Sequence, residues 1–138
     1  MIELANSDDR ASVVGLWEAC GLTRPWNDAG ADFDRAAGGA SSAILIARVE
    51  RAIAGSVMVG FDGHRGWVYY LAVAPGIRRQ GLGRRLMEAA EDWLRARGAP
   101  KIQLMVRDEN EEALAFYDSL GLRHQSVVTL GRFLGEQE

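Results

Sequence analysis

The chain has 138 residues, of which 48% are hydrophobic and 25% are charged, the composition of an ordinary globular protein. This length predicts one domain, residues 1–138, whose core needs neither disulfides nor metals. A net charge of −3 argues against general nucleic-acid binding, which needs a basic surface. With one cysteine, Cys20, no signal-peptide pattern and no long apolar run, we expect a cytoplasmic protein that does not bind membranes.

Two helices are predicted first along the chain. Asn6 or Ser7 can cap a first helix that ends at Gly21. A loop over residues 22–30 follows, and a short second helix is predicted over residues 32–37.

Strands dominate the middle of the chain. Two aliphatic runs, Ala43–Val49 and Ala52–Phe61, predict a hairpin, and a third strand covers Trp67–Ala74. The later predicted elements are a helix over Gly83–Arg97, a strand over Lys101–Val106, a helix over Asn110–Leu120 and strand-like pieces over Arg123–Leu134. The order ααβββαβαβ predicts a mixed α/β fold with a central sheet flanked by helices.

The most informative segment joins the third strand to the next helix, from Val73 to Arg84. Gly81 and Gly83 let the backbone approach a ligand, and a helix N-terminus offers unpaired amides and a positive dipole end. A helix start normally favours acidic residues, but this one carries Arg78, Arg79, Arg84 and Arg85. The segment therefore predicts a site for a polyanion such as a pyrophosphate.

Two common phosphate motifs do not fit this segment. A Walker A loop needs Lys and then Ser or Thr where Arg84 and Arg85 stand, and a dinucleotide fingerprint needs a third glycine where Leu86 stands. The remaining pattern, Arg/Gln-x-x-Gly-x-Gly, covers Arg78–Gly83. The alternative is a tight turn with solvated arginines.

The strand Tyr69–Val73, the turn Arg78–Gly83 and the later Asn110, Tyr117 and Gly121 together resemble the GNAT superfamily of N-acetyltransferases over nearly the whole chain. The resemblance implies a GNAT fold with a splayed sheet. It also implies that acetyl-CoA donates an acetyl group to a primary amine by direct attack in a ternary complex. Neither a metal nor a covalent acetyl-enzyme is required.

Within this superfamily, the segment Arg24–Asp28 and the run Tyr69–Leu71 are similar to the small bacterial YpeA-like members. The RimI-like ribosomal-protein alanine acetyltransferases are more distant relatives by the same comparison.

The resemblance assigns residues to the cosubstrate. Backbone groups of Leu71, Ala72 and Val73 would meet the two amides of the pantetheine arm. Asn110 would hydrogen-bond the arm, cap its helix, or do both. The residues implied for the pyrophosphate are Arg78, Arg79, Gln80, Gly81, Leu82, Gly83 and Arg84.

Tyr117 matches the family's general acid, which supplies a proton to the leaving thiolate. The alternative is a core aromatic beside Phe116. RimI-like members have a glutamate in a Leu-Glu-Val-Arg strand, and this chain has Met105 at that position. The general base is therefore open, and the candidates are Asp28, Asp62, His64 and a chain of waters.

Residues of the first loop and the third strand are candidates for contact with the acceptor amine. Trp26 would offer an apolar wall or a cation–π face, or it would anchor the loop to the core. Tyr69 and Tyr70 alternate along a strand, so at most one of them should face the cleft. The candidates are Trp26, Asn27, Asp28, Asp62 and Tyr70.

Two other functions compete with the enzyme. One is a catalytically silent acetyl-CoA-binding sensor or partner-binding domain, favoured by the missing glutamate. The other is a nucleotide-binding α/β module, disfavoured by the missing third glycine. The acceptor can be a small molecule or a protein amine, and the protein can be a monomer or a homodimer.

Overall fold

The computed structural model describes residues 2–135, so the first residue and the last three residues of the predicted domain lie outside the described residues. The elements in chain order are β1 (Ile2–Leu4), a 3₁₀ turn (Ser7–Asp9), α1 (Arg10–Ala19), α2 (Ala29–Gly38), β2 (Ser42–Val49), β3 (Ala52–Phe61), β4 (Gly66–Val73), a second 3₁₀ turn (Pro75–Ile77), α3 (Leu82–Ala96), β5 (Ile102–Gln103) and α4 (Glu111–Ser119).

One mixed sheet organises the chain. Its strands follow the order β1–β2–β3–β4–β5, and every neighbouring pair is antiparallel except the parallel pair of β4 and β5. This confirms the predicted mixed α/β fold. The chain packs as two compact units, one up to Met105 with the sheet and α1–α3, and one from Val106 with α4.

Several predicted element bounds are wrong. Strand β1 was not predicted, and β5 covers only Ile102–Gln103 because its pairing with β4 ends there. Within the described part of residues 123–135 no strand forms, since a strand exists only where a neighbour completes its ladder. Helix α2 begins three residues earlier than predicted, at Ala29, because the Asp28 carboxylate accepts a hydrogen bond from the Ala31 amide and caps it.

The first unit packs its sheet between helices. On the face covered by α1 and α2, Trp17, Phe33, Ile44 and Ile46 form the core of a buried cluster. On the opposite face α3 lies close to β3, because Gly55 has no side chain. A Cβ there would lie 2.8 Å from Cδ1 of Leu86. This contact fixes the start of α3 beside the end of β4.

Candidate active site

The start of α3 is built without the usual cap. Gly81 takes the left-handed conformation, with φ 81°, and no side chain caps the helix. The first amide that bonds back belongs to Arg85, which donates to the Gly81 carbonyl at 3.1 Å. The amides of residues 82–84 therefore have no partner within the helix and point out from its positive end.

Four exposed arginines surround this helix start, and across residues 2–135 none of them forms an ion pair. Arg78 donates through Nε to the carbonyl of Val73 at 3.0 Å, which leaves its terminal nitrogens for another partner. Four positive charges at the positive end of a dipole are unfavourable unless an anion joins them. This arrangement therefore favours a site for a polyanion over the alternative of a tight turn with solvated arginines.

The edge of β4 next to this turn lies open. Its ladder with β5 consists of Gly66 with Ile102 and Trp67 with Gln103, and no strand of the described chain pairs with the rest of that edge. This is the separation between the two strands that the family resemblance implied. The Val73 carbonyl, proposed for the cosubstrate, is already occupied by Arg78 and, at 3.4 Å, by the thiol of Cys20.

A β-bulge interrupts β4 in the middle of the tyrosine pair. Ser56 pairs with Ala72 and Met58 with Tyr69, so the register shifts by one residue, and Tyr70 adopts φ 54°. Tyr69 shares its face with Met58, and Tyr70 stacks on Trp17, so both tyrosines lie on the side of α1 and α2. The predicted alternation of the two tyrosines is wrong because the bulge removes the period of two.

The hydroxyl of Tyr70 is engaged rather than exposed for a ligand. It donates to Oδ2 of Asp32 at 2.7 Å, and Asp32 also accepts from Arg35 at 2.6 Å. Burial, followed by the hydrogen bond to Asp32, holds the pKa of Tyr70 well above its usual range. Tyr70 thus stays neutral, with its proton directed at Asp32.

The loop before α2 presents the other candidates for the acceptor. Trp26 is 49% exposed and is not among the residues packed in the buried cluster under α1 and α2, which favours the interpretation in which it meets a ligand over the one in which it anchors the loop. Asn27 and Asp28 are exposed as well, although Asp28 also caps α2. Arg24 stiffens the loop by donating to the carbonyls of Gly21 and Thr23.

Asp62 forms the turn between β3 and β4. Its carboxylate accepts from the amides of His64 and Arg65, at 2.8 and 2.7 Å, and from the indole of Trp67 at 3.2 Å. The amides of Arg65 and His64 are the main reason that the pKa of Asp62 lies below its usual range. A carboxylate with three donors and a lowered pKa is a weak base.

The second unit carries the remaining two candidates on α4. Asn110 caps the helix, because its side-chain oxygen accepts from the Ala113 amide at 3.1 Å, and its side-chain nitrogen is a donor group. The ring of Tyr117 lies edge-on to Phe116, with centroids 5.1 Å apart. Burial raises the pKa of Tyr117 to about 12, so the phenol stays protonated near neutral pH.

Two features of β4 could not be predicted from the sequence. The bulge at Tyr70 and its hydrogen bond to Asp32 have no signal in the sequence, because a left-handed tyrosine looks like any strand residue there. Among residues 2–135, no three His, Cys, Asp or Glu side chains are placed to hold a metal, and no helix is long and apolar enough to cross a membrane.

Comparison with known proteins gives a family and a fold. Residues 6–122 match the acetyltransferase (GNAT) family. A tetramutant of BH1408 from Bacillus halodurans is 28% identical, with TM-score 0.77, over 96% of this chain and 99% of its own. The enzyme AAC(6')-Iy, in complex with a bisubstrate analogue of CoA and acetylneamine, is 19% identical with TM-score 0.83, covering 98% of each chain.

A third structure has the same fold. It is the aminoglycoside 6'-N-acetyltransferase AAC(6')-IG from Acinetobacter haemolyticus, 17% identical with TM-score 0.79, matched over 98% of this chain and 99% of its own. These likenesses confirm the GNAT fold that the sequence resemblance predicted.

Proposed function

The chain belongs to the acetyltransferase (GNAT) family, and we propose that it moves the acetyl group of acetyl-CoA to a primary amine by direct attack in a ternary complex. One observation carries the proposal. An uncapped helix start, with four arginines that form no ion pair among residues 2–135, follows a strand whose edge is open. A pyrophosphate with an amide-containing arm is complementary to both features.

The pyrophosphate and the pantetheine arm of the cosubstrate would bind to different segments of the chain. The amides of Leu82, Gly83 and Arg84 would donate to the pyrophosphate, and the exposed side chains of Arg79 and Gln80 would add donors. The terminal nitrogens of Arg78 can reach an anion while its Nε still holds the Val73 carbonyl. The open edge at Leu71, Ala72 and Val73, where Arg78 and Cys20 already bond to the Val73 carbonyl, would take the pantetheine amides. By the family resemblance, Asn110 of the second unit is also expected to hydrogen-bond the arm.

Tyr117 would act as the general acid. The amine nitrogen attacks the thioester carbonyl, the carbon–sulfur bond breaks, and the leaving thiolate takes a proton from the phenol. A pKa of about 12 keeps that proton in place until charge develops on sulfur. The family resemblance assigns Tyr117 the role of general acid, and its half-buried, protonated phenol supports that role.

The base would be a chain of waters or His64 rather than a carboxylate. Asp62 is held in its turn by three donors, and Asp28 caps α2. An α-amine, with a pKa near 7.7–8.0, is partly neutral at physiological pH, whereas a lysine amine near 10.4 is not. An acceptor with a low amine pKa therefore suits this chain best.

The acceptor would carry positive charge near an apolar group. The exposed Trp26 offers a cation–π face, and Asn27 and Asp28 beside it offer polar and anionic groups. Two neighbours of this fold, AAC(6')-Iy and AAC(6')-IG, are named as aminoglycoside acetyltransferases, so polyamines of that kind belong in a first panel. Assignment to the YpeA-like subgroup remains our prediction.

A silent acetyl-CoA-binding domain is the alternative. Its support is Met105, which is 51% exposed and stands where RimI-like members have a glutamate. Such a domain would bind acetyl-CoA through the same turn and release no CoA in the presence of any amine.

Titration calorimetry tests the proposal first. We expect acetyl-CoA and CoA to bind, while NAD and ATP bind much more weakly because they lack the pantetheine arm. An amine panel with detection of released CoA thiol then separates the enzyme from the silent domain. Absence of acetyl-CoA binding in a folded sample would remove both functions.

A further inference from the structure

Tyr70 has a strained backbone in the middle of a strand. Its φ of 54° lies in the left-handed region, which residues other than glycine seldom occupy. The register shift leaves Val57 facing both Tyr70 and Leu71, so the strand bulges there. Such strain persists only where surrounding contacts hold it, and it concentrates at functional sites.

Three elements hold the bulge. Trp17 of α1 stacks on the Tyr70 ring with centroids 3.9 Å apart and planes 8° from parallel. The fully buried Trp17 is fixed in turn by Ser56 of β3, which accepts from its indole at 2.9 Å. From α2, Asp32 accepts the Tyr70 hydroxyl proton at 2.7 Å.

The bulge lies at the junction of both proposed substrate regions. Its second residue, Leu71, begins the open edge Leu71–Val73 that the pantetheine arm would use. Asp32 lies in the first turn of α2, whose cap, Asp28, ends the loop that carries Trp26. The hydrogen bond from Tyr70 to Asp32 therefore connects the β4 edge proposed for the cosubstrate to the helix that follows the loop proposed for the acceptor.

We infer that Tyr70 and Asp32 are positioning residues: their hydrogen bond holds the β4 bulge in the geometry that presents Leu71–Val73 to the pantetheine arm. This inference rests on the proposed function and changes the role expected for Tyr70. Its hydroxyl contacts Asp32 and not the acceptor amine. Tyr70 and Asp32 make no bond to the pyrophosphate turn at α3 among residues 2–135, although Arg78 of that turn bonds to the Val73 carbonyl, so ligands with and without the pantetheine arm test the two parts of the cosubstrate.

The experiment compares two ligands by calorimetry. Acetyl-CoA carries the pantetheine arm, and adenosine 3'-phosphate 5'-diphosphate has the same nucleotide without it. For Tyr70→Phe, which keeps the ring stacked on Trp17, we expect acetyl-CoA to bind about tenfold more weakly, the effect of losing one charged hydrogen bond. The nucleotide without the arm should bind as it does to the wild type.

Tyr69→Phe is the matched control. It is the adjacent residue, and its hydroxyl makes no hydrogen bond with any residue between 2 and 135. We expect unchanged affinity for both compounds. Equal acetyl-CoA affinities for Tyr69→Phe and Tyr70→Phe would overturn the inference, as would equal losses for the two ligands in Tyr70→Phe.

Substitutions at Asp32 test the other partner and leave the tyrosine intact. Asp32→Ala should weaken acetyl-CoA binding as Tyr70→Phe does, whereas Asp32→Asn keeps an oxygen acceptor and should restore most of the affinity. Arg35→Ala removes only the second partner of Asp32 and should leave acetyl-CoA binding unchanged. A wild-type protein that binds neither compound would refute the proposed function, and this inference with it.

Discussion

Substituting Gly81 gives the sharpest test of the phosphate site. Its φ is 81°, and a Cβ there would meet nothing within 4 Å. The cost to folding is therefore backbone strain without a clash, about 1–2 kcal/mol for alanine and glutamate alike. For a domain of this size, that predicts a fall in Tm of about 3–8 °C for either variant.

Binding should separate the two variants. A glutamate at position 81 places a negative charge at the uncapped amides, where the pyrophosphate would lie. Two unit charges about 4 Å apart repel by about 4 kcal/mol at an effective dielectric near 20. We expect Gly81→Glu to weaken acetyl-CoA binding by about 100-fold or more, and Gly81→Ala by less than about tenfold.

Gly76 provides the control for charge alone. It is exposed, a Cβ there also meets nothing within 4 Å, and its φ is not left-handed. Gly76→Glu adds the same charge five residues earlier and should cost neither the strain nor most of the affinity. Calorimetry on all three variants decides the matter. A folded Gly81→Glu protein that binds acetyl-CoA within twofold of wild type would refute the phosphate assignment, and a comparable loss in Gly76→Glu would show that net charge alone matters.

Three further predictions follow from individual contacts. Tyr117→Phe should lower kcat about 10²-fold while leaving acetyl-CoA affinity nearly intact, since only the proton donor is lost; unchanged steady-state kcat would remove Tyr117 from the chemistry. Ser56→Ala leaves the buried Trp17 indole unpaired and should destabilise the fold by about 1–3 kcal/mol in urea unfolding, with Ser7→Ala, which is exposed, as the control. The amide of Asn6, followed by the Arg48 guanidinium, lowers the pKa of Asp9, so stability should be lost as pH falls below the usual range of a carboxyl group, and Asp9→Asn should flatten that acid limb in unfolding curves taken at successive pH values.

Local patterns in the sequence predicted much of this protein. The arginines at residues 78–85 and the glycines among them indicated an anion site without any tertiary information, because helix polarity and glycine flexibility act over a few residues. The hairpin of β2 and β3 followed equally from two aliphatic runs and a short turn. Asn6 capped the first helical segment as predicted, since a cap involves only its own turn.

Long-range pairing decided what the sequence could not. Strand β1 forms because β2 is there to pair with it, β5 stops where its ladder with β4 stops, and the expected strands after residue 123 do not form in the described chain. The bulge that places Tyr69 and Tyr70 on one face depends on the register between β3 and β4. Whether Asp62 serves a turn or a substrate, and whether Trp26 is buried or exposed, likewise depends on neighbours that only the folded chain brings together. The sequence thus determines the local chemistry of the proposed anion site. Tertiary pairing determines which side chains remain available to act beside it, because hydrogen-bond partners and burial are set by residues distant along the chain.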